Sequence, residues 1–160
     1  IPDPDDVPFN FFYTSNVSLP RGTFLVLGGF DEEFPYAAWE DVEFAYRATR
    51  ATPALRMVYR SAARTRHNHP TDMASFRRRQ RKAGAAAATF ARKHPELSRW
   101  LGLEEAAKVG TGRRPLRLAL AEGAIRALDP LGVPFPGSAY DRVLRWDYLQ
   151  GIRTRAESAA

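Results

Sequence analysis

The sequence predicts an α/β chain, on three observations. Phe9 to Tyr13 is an aromatic run suited to a buried strand, and Thr14-Ser15-Asn16-Val17-Ser18-Leu19 extends it with small polar groups interleaved. Leu55-Arg56-Met57-Val58-Tyr59 alternates as a half-buried strand does, and Ala62 to His67 reads as a further short extended piece. Between them, apolar residues at Val42, Ala45, Tyr46 and Thr49 recur at helical spacing. Strands interleaved with helices are the pattern of an α/β fold.

Each element has a local cause. Residues 1–8 carry three prolines and three aspartates, which break helix and central strand alike, so they read as a connecting loop. Pro20 suits the first turn of a short helix through Leu27, with Phe24, Leu25 and Leu27 inward, stopped by Gly28-Gly29. A second helix runs from Trp39 to Arg50, and Pro53 forces a break. From Asp72 to Lys93 a long helix follows, with Met73, Phe76, Ala83, Ala87 and Phe90 three and four apart. Arg77, Arg78, Arg79, Arg81 and Lys82 crowd its remaining faces, most simply as a solvated surface. Residues 110–114 read as a linker, 116–128 as an amphipathic helix, 129–137 as a Pro/Gly turn and 140–153 as a last helix bearing Trp146 and Tyr148. The organisation expected is a loop over 1–8, a catalytic part over 9–70, a helical extension over 71–110 and C-terminal helices over 111–160.

At 160 residues the chain is one domain or part of one. It begins at Ile1, so a preceding segment is expected. No apolar run in these residues is long enough to span a bilayer and none reads as a signal peptide, while the segment expected upstream could carry either. The absence of cysteine excludes disulfides and thiolate zinc sites, and is compatible with the cytosol. The net charge of +6 is unevenly spread. Residues 1–43 hold nine acids and one base, Arg21, whereas residues 44–160 hold nine acids and 23 bases. A basic half suits an anionic partner such as nucleotide phosphates, a membrane surface or nucleic acid. Only three of the 24 bases are lysine, so genomic base composition explains the arginine enrichment equally well.

The chain is organised around Gly28-Gly29-Phe30-Asp31-Glu32-Glu33-Phe34 and the Trp39-Glu40-Asp41 that follows. Two glycines let backbone pass close to a ligand or through positive φ. Glu40 and Asp41 fall in the first turn of a packed helix, at the positive end of its dipole, which suits an anchored base or ligand. Taken alone, the pair is also what any helix N-terminus carries, and Gly28-Gly29 is also a plain helix stop. His67 and His69 lie two apart on an extended stretch and share a face, although histidines beside a proline are common at surfaces.

Ser15-Asn16-Val17-Ser18, Arg21, Gly28-Gly29-Phe30-Asp31-Glu32, Trp39-Glu40-Asp41 and His67, in this order over residues 9–95, resemble the C-terminal half of family 2 glycosyltransferases. Those are inverting enzymes of the GT-A fold, a Rossmann-like nucleotide-diphospho-sugar transferase domain. The resemblance implies an acceptor-side half followed by amphipathic helices, with Asp41 as general base and Glu40 positioning the acceptor or supporting Asp41. It places Asn16, Arg21, Gly28, Gly29 and Trp39 in the substrate pocket. It makes His67, with His69 as fallback, a ligand to a divalent cation, Mn2+ or Mg2+. The family's DxD metal motif precedes this half. Asp3-Pro4-Asp5 has the letters but sits in a proline-rich loop, so the donor site is expected upstream and residues 1–160 alone are expected not to turn over.

In inverting transfer a base takes the acceptor's proton as the new bond forms, worth about 10²–10⁴-fold. The leaving nucleoside diphosphate gains charge that a cation can neutralise, and Arg78 or Arg79 would add bidentate contacts. The partners implied are a nucleotide-diphospho-sugar donor and a carbohydrate or lipid-linked acceptor, and no nucleic acid. The amphipathic residues 115–153 suit peripheral membrane contact, and suit ordinary packing onto the catalytic domain better. The location implied is the cytoplasm or the inner face of its membrane, and the role is polysaccharide, glycolipid or glycoprotein synthesis. The alternative is a non-catalytic basic module binding nucleic acid or anionic membrane, with strongly salt-dependent affinity.

Overall fold

The computed structural model describes residues 1, 3–66, 68, 72–109, 114–128, 131–133 and 135–157. The chain divides into two compact units, residues 1–70 and 71–160.

In the first unit, two 3-10 turns, Phe9–Phe11 and Thr14–Asn16, precede α1 (Arg21–Val26) and α2 (Glu40–Ala48). The core is aromatic. Phe12, Phe44, Ala45 and Ala48 are buried, with Phe9, Leu19, Phe24, Leu27, Leu55 and Met57 packed around them. The Phe44 ring centroid lies 5.7 Å from Phe12, 5.2 Å from Phe24 and 5.6 Å from Phe30, while Phe9 meets Tyr46 edge-on at 5.0 Å. Such tilted contacts suit ring quadrupoles. α1 turns Leu25 outward, 56% exposed, against the inward orientation expected of it, while Phe24 and Leu27 join the core.

The expectation of an α/β fold, the half of a GT-A domain, is overturned: among the described residues there is no strand and no sheet. A strand needs a neighbour to take its backbone bonds. Phe9–Phe11 instead closes on itself, Phe11 N–H donating to the Pro8 carbonyl (3.0 Å) and Phe12 N–H to that of Phe9 (3.1 Å). The second turn closes likewise, Asn16 N–H donating to the Tyr13 carbonyl (3.1 Å). Phe12 is thereby buried against Phe44 and Phe9 packs on Tyr46, while Phe11 and Tyr13 stay exposed. Residues 55–59 run beside residues 4–7, where Val7 N–H donates to the Met57 carbonyl (3.0 Å) and Tyr59 N–H to that of Pro4 (2.7 Å). Pro4 and Pro8 lack the N–H groups to continue this as a ladder.

The second unit is helical: α3 (Met73–Lys93), α4 (Ser98–Leu101), α5 (Leu103–Lys108), α6 (Leu116–Leu128) and α7 (Gly137–Glu157). α3 opens on a capping box: Ser75 N–H donates to Asp72 Oδ1 (2.6 Å), and Asp72 N–H to Ser75 Oγ (3.2 Å). Hydrogen bonds from the Ser75 backbone and then its side chain hold the Asp72 carboxyl below its ordinary pKa. α3 and α7 cross backbone to backbone. A Cβ on Gly84 would stand 1.9 Å from the Tyr148 carbonyl oxygen, and one on Gly151 2.0 Å from that of Arg81. Only glycine on both helices permits this approach.

Polar ties cross the same unit. Asp147 is fully buried and accepts from Arg77 Nε (2.6 Å) and Arg81 Nε (2.8 Å). Arg77 also pairs with Glu122 of α6, which Arg114 joins. Two arginines expected on a solvated face thus pair with a buried carboxylate, Arg77 half-buried and Arg81 still exposed. Tyr148 donates to the Leu101 carbonyl (2.9 Å), and burial raises its phenol well above the ordinary pKa. Among the described residues no helix is long and apolar enough to cross a membrane.

Candidate active site

α2 begins abruptly. Trp39, the residue before it, lies at φ 72°, ψ −13°, in the left-handed region. A non-glycine residue held there costs roughly 1–3 kcal/mol and persists where its surroundings over-determine it. This turn aims Glu40 and Asp41 from the first turn of α2, and both remain partly exposed.

The two carboxylates differ. Asp41 Oδ2 accepts from the N–H (3.2 Å) and hydroxyl (3.3 Å) of Thr14, and Oδ1 from Val42 N–H (2.8 Å). Its orientation is thus fixed between α2 and the Thr14–Asn16 turn. Glu40 Oε2 is buried with no hydrogen-bond partner among the described residues. Burial, reinforced by the neighbouring Asp41 charge and opposed by backbone hydrogen bonds, pushes the Glu40 pKa up. One carboxylate is held by donors and its neighbour is desolvated.

Behind them lies a support absent from the sequence-derived candidates. Glu43 is buried, 1% exposed, and accepts Arg47 Nε through Oε1 (2.8 Å) and Oε2 (2.9 Å). Arg47 then donates to the carbonyls of Leu27 (2.5 Å) and Gly29 (2.7 Å). The guanidinium therefore fastens the Gly28-Gly29 turn to α2. Both glycines have positive φ, 81° and 69°. The signal was available, since Glu followed four residues later by Arg is a helix-surface pair.

The other expected residues distribute unevenly. Asn16 Nδ2 donates to the Ala63 carbonyl (2.8 Å), from the same turn that holds Asp41. Trp39 adjoins the carboxylates in sequence and is half-buried. Arg21 is exposed at the start of α1 and makes no hydrogen bond or ion pair with the other candidates among the described residues. His67 and His69 lie outside the described residues. Among those described, no three His, Asp or Glu side chains converge as metal ligands.

With this geometry in view, comparison with known proteins is informative. A stretch of 41 residues, 26% of the chain, is 49% identical to a validoxylamine A glucosyltransferase of Streptomyces hygroscopicus subsp. jinggangensis. A stretch of equal length and identity matches the validoxylamine A glucosyltransferase of Streptomyces hygroscopicus subsp. limoneus. The similarity is to glycosyltransferases. It spans about a tenth of those relatives' length, 10% and 9% respectively. No protein-family model matches the chain, and no solved structure does.

Proposed function

We propose that the chain carries the acceptor side of an inverting glycosyltransferase of family 2, using a nucleotide-diphospho-sugar donor and a carbohydrate or lipid-linked acceptor. The observation that carries this is the Glu40–Asp41 pair, aimed by a left-handed Trp39 and fastened through Arg47 to Gly28-Gly29. The glucosyltransferase-like stretch supports it.

In the proposed step the acceptor oxygen bonds to the anomeric carbon as the bond to the nucleoside diphosphate breaks. The acceptor's proton passes to Asp41, whose carboxylate Thr14 holds in place. Asn16, Arg21, Trp39 and the two glycines form the sugar-facing wall. A divalent cation at His67, or at His69, belongs to the proposal through the resemblance alone, and no step here is routed through it.

Asp41→Asn, in the full reading frame containing this chain, tests the proposal by sugar transfer and donor binding. Transfer is expected to fall about 10²–10⁴-fold with donor affinity unchanged. Transfer near the wild-type rate overturns the assignment. The unpartnered Oε2 favours one second reading, in which Glu40 takes the proton. In that case Glu40→Gln, not Asp41→Asn, carries the loss.

A further inference from the structure

Within the second unit, the start of α3 lines with α6 and α7 an open pocket of about 380 Å³. Its walls are apolar, formed by Met73, Ala74, Ile125 and Val143. The volume lies in the range of small-molecule pockets, which pair apolar walls with a few polar groups.

The charged groups on the lining differ in how they are engaged. Asp72 is occupied by its own capping box. Arg77 and Glu122 pair with each other, Arg77 is held further by Asp147, and Glu122 by Arg114. Arg126 is exposed and has no ion pair or hydrogen bond among the described residues. The uncommitted charge at this cavity is therefore a cation. An exposed guanidinium beside an apolar hollow matches one chemistry, an apolar body ending in a carboxylate or similar anion.

We propose that this cavity binds a small amphiphilic anion, its apolar part between Met73, Ala74, Ile125 and Val143 and its charged end on Arg126. The proposal is independent of glycosyl transfer, since every residue it uses lies in the second unit.

The test is calorimetric titration of the 160-residue chain with decanoate below its micelle concentration, and with decanol as the uncharged control. Saturable binding of decanoate at one site is expected. Arg126→Gln should weaken it on the order of tenfold while leaving decanol binding unchanged, the loss of one charge-assisted contact. Ala74→Trp should abolish both by filling the hollow. Arg126 and Ala74 are both exposed, and circular dichroism checks that each variant keeps its fold. Absence of saturable decanoate binding, or equal affinity in wild type and both variants, overturns the proposal. Should Ala74→Trp fail to fold, the decanoate-to-decanol contrast in Arg126→Gln decides alone.

Discussion

The two units hold themselves together by different means. In residues 1–70 the regular elements are short, and side chains satisfy the irregular backbone: Arg47 binds the carbonyls of Leu27 and Gly29, Asn16 that of Ala63, and Arg56 that of Asp5. Aromatic rings fill the space between. In residues 71–160 the two 21-residue helices satisfy their own backbones and meet through the absence of side chains, at Gly84 and Gly151. A loop-built unit depends on a few long polar side chains, whereas a helix-built unit depends on its smallest residues. Functional groups suit the first kind, where irregular backbone can aim them.

The comparison can be broken most sharply at the helix crossing. Gly84→Ala drives a methyl into the Tyr148 carbonyl and should cost about 3 kcal/mol or more in urea unfolding. Gly123→Ala, in open space on α6, should be neutral or stabilising by up to about 1 kcal/mol. Equal effects at the two positions would mean that the helices do not cross there.

In the first unit the corresponding weak point is charged. Arg47→Met leaves Glu43 buried without its cation and releases two carbonyls. We expect a loss of about 2–3 kcal/mol, below the 3–5 kcal/mol for fully buried pairs because the Arg47 side chain is 30% exposed. Combined with Glu43→Gln it should be clearly less than additive in denaturation measurements.

The smallest effect concerns pH. The folded state holds the Glu40 proton more tightly than the unfolded chain does. As pH rises from the ordinary carboxylate value through the raised one, the unfolded chain releases its proton first, and stability falls. Glu40→Gln should flatten that decline and leave the protein slightly more stable at neutral pH. A decline unchanged in the variant would assign it to another group.

The helices were legible in the sequence because period, caps and breakers agree: the helix expected from Asp72 is α3, and the Trp39–Arg50 pattern contains α2. The strands were misread because an aromatic run such as Phe9–Tyr13 signals burial without saying against what, and here only Phe12 is buried, against Phe44 of a helix, while Phe11 and Tyr13 are exposed. Leu55–Tyr59 does lie beside residues 4–7, but two bonds to a proline-rich neighbour make no sheet. At the candidate site, the placement of Glu40 and Asp41 in the first turn of a helix was legible. The hold of Thr14 on Asp41 and of Asp147 on Arg77 and Arg81 joins residues far apart in sequence, and no local pattern announces such pairs.

The glycine crossing also sets an order of events at the ribosome. Gly151 follows Gly84 by 67 residues, so α3 is complete long before the helix that must lie on it has been synthesised. At about 5–20 residues per second that interval is roughly 3 to 13 s. Throughout it, the face of α3 at Gly84 waits uncovered. Translation that stops short of residue 151 would release a chain with that face still open.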